Sequence, residues 1–98
     1  VSTYIGIVSK DADSAYGIVF PDAPGCFSAA DDLDSVFAMA SEALNGWTQL
    51  MREEGYPLPP CRELLALRAD PALTEVWEDA VLVIAVPAPN EASENKAA

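Results

Sequence analysis

The chain has 98 residues, enough for one domain with one core, and its 51% hydrophobic content excludes disorder over most of the length. Acidic residues outnumber basic ones 16 to 5, for a net charge of −11, which repels phosphate backbones and argues against nucleic acid as a direct ligand. Such a surface either serves solubility or attracts a basic partner and speeds its approach.

The chain opens on VSTYIGIVSK, with neither the basic nor the apolar region of a secretory signal. Residues 3–8, TYIGIV, read as a first strand rich in β-branched and aromatic side chains. The polar SKDADS that follows is a turn, and residues 15–20, AYGIVF, form a second strand with Tyr16, Ile18 and Phe20 on one face. The two strands make an antiparallel hairpin. PDAPG then breaks the ladder, because proline cannot donate to it, and CFSAA is a short third strand.

The strongest element starts at Asp32. Leu33, Val36, Phe37, Ala40, Leu44, Trp47 and Met51 recur at spacings of three and four, one face of a helix. Asp32 is its N-cap and Asp34 lies in the favourable first turn. Gly55 is the C′ stop, about 33 Å away at 1.5 Å per residue. YPLPPC is an extended connection. Residues 62–68 and 71–78 are short helical pieces broken at Pro71, with Asp70 as a cap. AVLVIAV, 80–86, is apolar without alternation, which predicts a strand buried on both faces. PAPNEASENKAA reads as a disordered polar tail, so the predicted domain is 1–87 and the tail 88–98. The order β-β-β-α-β, with short extra helices before the last strand, defines an α+β layer: one long helix on a small sheet.

Catalytic chemistry finds few footholds. Histidine is absent, so Cys26 has no imidazole to activate it, and a thiol after a Pro-Gly turn reads as a small packing residue. Cys26 and Cys61 lack metal-ligand spacing and read as reduced thiols of a cytoplasmic chain. A metal-dependent nuclease would need carboxylates converging from rigid elements. The strands carry none, and the acids lie in turns and at helix ends. The chain therefore reads as a binding protein with no catalytic residue, no metal and no cofactor. The exposed acids Asp11, Asp13, Asp22, Asp31, Asp32 and Asp34 are the candidate partner contacts. No apolar run reaches the ~18 residues of a membrane span.

The stretch YGIVFPDAPGCFSAADDLDSVFAMASEALNGWTQLMREEGYPLPP, continued by ELLALRADPAL and VLVIAV, resembles the HicB antitoxin family over residues 3–86. The resemblance rests on a strand ending in aromatic-Pro-Asp-x-Pro-Gly-Cys (Phe20, Pro21, Pro24, Gly25 and Cys26), an acidic helix start, and a helix closing with an acidic pair and Gly. It implies a truncated ribonuclease-H-like domain without nuclease activity. There the last strand would run parallel to the first after a right-handed crossover. It also implies an antitoxin that neutralises a small basic, mRNA-cleaving toxin of the HicA type by covering its active face. Many members add a C-terminal DNA-binding module. The twelve residues after Val86 hold one Lys and no helix pattern, so the chain as given is expected not to bind promoter DNA. A standalone oligomeric adaptor or small-molecule binder of the same superfamily is the alternative. Tyr4, Val8 and the run 81–86 suggest apolar surface opposite the helix, hence a homodimer or higher oligomer.

Overall fold

A computed structural model describes residues 2–89. Four strands, β1 (Thr3–Lys10), β2 (Tyr16–Val19), β3 (Phe27–Ala30) and β4 (Ala80–Pro87), form one sheet in the order β3-β2-β1-β4. Helix α1 (Val36–Glu53) lies between β3 and two short helices, α2 (Leu64–Arg68) and α3 (Thr74–Glu78). Every pairing is antiparallel.

Period-two alternation decides what α1 covers. Tyr4 and Val8 of β1, Ile18 of β2, Ala30 of β3 and Val86 of β4 join Val36, Ala40 and Leu44 of α1 in one buried cluster. The helix repeat predicted its buried stripe, but its first turn departs. Residues Leu33–Ser35 form a 3₁₀ turn, with Asp32 Oδ1 accepting the Ser35 N–H at 2.9 Å. Leu33 in that turn and Phe37 in the first turn of α1 both stand outside the core, 56% and 50% exposed, while the buried stripe of α1 is Val36, Ala40, Leu44 and Thr48. The far end closes as predicted: Gly55, at φ +79°, donates to Arg52 O, and Tyr56 N–H returns to Met51 O at 2.9 Å.

Three expectations need correcting. The last strand runs antiparallel to β1, not parallel, with Thr3 opposite Pro87 and Ser9 opposite Ala80. Helix α1 brings the chain back to the Thr3 end, where a parallel strand would start. Residues 56–79 instead carry it past Tyr4, whose hydroxyl donates to Pro59 O at 2.7 Å, and back beside β1 through α3. β4 therefore enters at the Ser9 end.

β4 is also an edge strand rather than one buried on both faces. Val81 and Leu82 are 57% and 37% exposed. Apolarity without alternation misled here, because it reports only that charge is excluded. Finally, Tyr4 and Val8 are not on the bare face but under α1, each fully buried. The opposite face carries the cross-strand row Ile7, Val19, Phe27. α3 packs against β1 and Ile7 is buried, but Val19 and Phe27 stay 39% and 71% exposed. The proposed tail falls mainly on 90–98, outside the described residues. Ala88 belongs to the fold, buried and donating to Ser2 O at 2.7 Å.

Candidate functional site: an acidic end and a clasped end

Antiparallel register sorts the candidate acids. Lys10, Tyr16 and Ala30 lie side by side at one end of the sheet. The β1–β2 loop and the entry to α1 both leave from there. That end therefore gathers Asp11, Asp13, Asp31, Asp32 and Asp34, all exposed. No ion pair joins any of the five to a basic side chain among the described residues. Asp32 alone has a local task, as the cap. Beside them a shallow hollow of about 230 Å³ is lined by Ala29, Ala30, Asp31, Asp32, Ser35 and Met39. The exposed Leu33 and Phe37, four residues apart on one helical stripe, border the same acids. Sequence periodicity assigned both to the core. The signal that could have freed them is the acidic run interrupting the first turn.

Asp22 sits at the opposite end, in the turn between β2 and β3. Its side chain is only 10% exposed. Its carboxylate accepts the Arg62 backbone N–H at 2.7 Å and Arg62 Nε at 2.8 Å. The same guanidinium reaches Asp70 at 2.9 Å, which holds the Asp70 carboxyl below its ordinary range. Asp70 in turn caps the 3₁₀ turn Pro71–Leu73 by accepting Ala72 N–H. A partner 40 residues away cannot be read from the local turn chemistry around Asp22.

The Pro-Asp-x-Pro-Gly-Cys motif is a corner. Ala23 N–H donates to Phe20 O and Cys26 N–H to Ala23 O, while Gly25 takes φ +86°, a conformation that disfavours any side chain. Pro21 is half-buried and Pro24 exposed, and the Pro24 carbonyl accepts the Trp47 indole N–H at 2.9 Å. The Trp47 ring meets Tyr4 edge-on, 5.8 Å between centroids. Phe20 and Cys26 point into the core, and burial pushes the Cys26 thiol up to about 11, far from a reactive thiolate. Burial also raises the half-buried Cys61 thiol and takes the Tyr4 hydroxyl up to about 12. Both cysteines are free thiols. Among the described residues, no three acids or cysteines are placed to hold a metal ion, and no helix is long and apolar enough to cross a membrane.

The family model of the HicB-like antitoxin of bacterial toxin–antitoxin systems matches residues 4–95. Among solved structures, the HicA3 and HicB3 toxin–antitoxin complex contains a chain 26% identical. The match has a TM-score of 0.70 and covers 90% of this chain and 99% of that one. The Burkholderia pseudomallei antitoxin HicB is also 26% identical, at a TM-score of 0.75, covering 93% of this chain and 66% of that chain. The antitoxin HicB3 is 27% identical at a TM-score of 0.70, covering 98% of this chain and 68% of that chain. No curated protein matches the sequence. The chain belongs to the HicB-like antitoxin family of bacterial toxin–antitoxin systems.

Proposed function

We propose that this chain neutralises a small basic toxin of the HicA type by occupying the surface with which that toxin holds RNA. The family supports an antitoxin role, and a structurally similar chain occurs in a complex of HicA3 with HicB3. The observation that carries the reading is the acidic end: Asp11, Asp13, Asp31, Asp32 and Asp34 brought together beside exposed Leu33 and Phe37. A face that attracts phosphates attracts these carboxylates too. The charges guide approach, and the two apolar side chains, once buried, hold the complex. Asp22 leaves this set and serves the fold. The protein works by binding rather than by catalysis, in the cytoplasm, where mRNA is the toxin's substrate. With a net charge of −11 the chain itself makes no duplex-DNA contact.

The test is RNA cleavage by the cognate toxin. An equimolar amount of this protein should abolish cleavage. Replacing all five carboxylates with Asn, which preserves the cap at residue 32, should raise the amount needed at least tenfold. Undiminished cleavage in excess protein, or a five-Asn variant that inhibits as well as the parent, would refute the proposal.

A further inference from the structure

We infer that the free edge of β3 takes up an extended segment of the basic partner, which adds to the sheet as a fifth strand beside Phe27–Ala30. The inference rests on the functional reading above and adds to it the mode of contact.

The direction of each backbone group in β3 follows from one bond. Phe20 N–H donates to Cys26 O at 3.3 Å, one step beyond the pair Val19 and Phe27 in the same register. Residues of an antiparallel strand address their two neighbours alternately. Ser28 and Ala30 therefore bond β2, while Phe27 and Ala29 turn their N–H and C=O groups outward. Counting from the far edge of the sheet, where Ala88 N–H reaches Ser2 O, gives the same assignment. β3 ends the sheet, and among the described residues nothing bonds the outward groups of Phe27 and Ala29. Edge strands are commonly blunted by a lysine, a proline or a bulge. The FSAA of β3 has none of these.

The surroundings of that edge select its occupant. Phe27, 71% exposed, and Val19, 39% exposed, lie on the sheet face opposite α1, so a strand beside β3 lays an apolar side chain against them. Ala30 points to the other face and lines the hollow between β3 and the start of α1, together with Asp31, Asp32, Ser35 and Met39. A side chain beside Ala30 enters that hollow. Lysine or arginine suits it, the aliphatic stem along Ala30 and Met39 and the charged head at the carboxylates of the rim. Asp32 spends Oδ1 on the Ser35 N–H, which leaves Oδ2 for a cation. Asp31 has no ion pair among the described residues. The added segment is thus basic at one position and apolar three positions away. The opposite edge offers no such match, since β4 carries no acid and ends in a proline.

Amide hydrogen exchange with and without the cognate toxin tests the added strand. The Phe27 and Ala29 amides should exchange at least tenfold more slowly in the complex, whereas those of Val83 and Ala85 in β4 should keep their rates. Ala29→Pro removes an N–H that β2 does not use and should weaken toxin binding at least tenfold. The exchange measurement decides even where that variant fails to fold. A toxin that does not bind the parent protein would overturn this proposal and the functional reading together. Binding that leaves the Phe27 and Ala29 amides exchanging as before, that slows Val83 and Ala85 equally, or that a folded Ala29→Pro variant matches would overturn the added strand alone.

Discussion

The two ends of the sheet carry similar acids and use them in opposite ways. At the Thr3 end, Asp22 is held by the backbone and guanidinium of Arg62, next to a corner whose Pro24 carbonyl is taken by Trp47. At the Lys10 end, five aspartates stand exposed with no ion pair among the described residues. A carboxylate with fixed, short bonds stabilises the fold. Exposed carboxylates without an ion pair contribute charge for a partner to neutralise. Residue type alone does not separate the two cases; the partner across space does.

The sharpest way to break this contrast is to remove charge at each end separately. Asp22→Ala strips the strap 56–63 of its anchor and leaves the Arg62 N–H without its acceptor. It should lower the melting temperature by several degrees, since even ~1 kcal/mol moves a domain of this size by about 4–8 °C. The paired change Asp11→Asn with Asp13→Asn should leave it unchanged or slightly raised, because exposed substitutions away from specific contacts usually stay within about 0.5 kcal/mol. Thermal melts followed by circular dichroism would decide, and equal responses at the two ends would erase the distinction.

A smaller effect is expected in alkali, and only from the clasped end. Burial raises the Cys26 thiol from 9.0 to about 11 and the Tyr4 hydroxyl from 10.0 to about 12. The unfolded chain releases these protons first. Their contribution is therefore whole below pH 9 and is lost as pH rises through 11 and 12. The melting temperature should hold level from pH 6 to 8.5 and fall by a few degrees by pH 10.5. A level profile to pH 11 would mean these groups are better solvated than their burial indicates.

Much of the fold was legible because one period governed each stretch. Alternation placed Tyr16, Ile18 and Phe20 on the core face, and the three-four spacing found Val36, Ala40 and Leu44. The corner at Pro21–Gly25 was readable from residues with few other uses. The misses at β4 depend on contacts distant in sequence. The direction of β4 is set by where residues 56–79 deliver the chain, and its edge position by there being no fifth strand beside it among the described residues. Antiparallel register, which the sequence does not display, puts the 11–13 loop and residues 31–34 at the same end of the sheet. Leu33 and Phe37 are a local miss: the three-four spacing runs through both, but the buried stripe narrows to Val36, Ala40, Leu44 and Thr48.

The central claim is that the acidic end steers a basic toxin, and the association rate measures that most directly. Stopped-flow mixing with the cognate toxin should show association slowing at least tenfold as salt rises from low values to about 0.5 M, where the screening length is roughly 4 Å, with dissociation changing much less. The five-Asn variant should associate slowly at low salt and lose most of that salt dependence, whereas Asp22→Asn should keep it. An association rate indifferent to salt in the parent protein would contradict the account and leave the acidity to solubility alone.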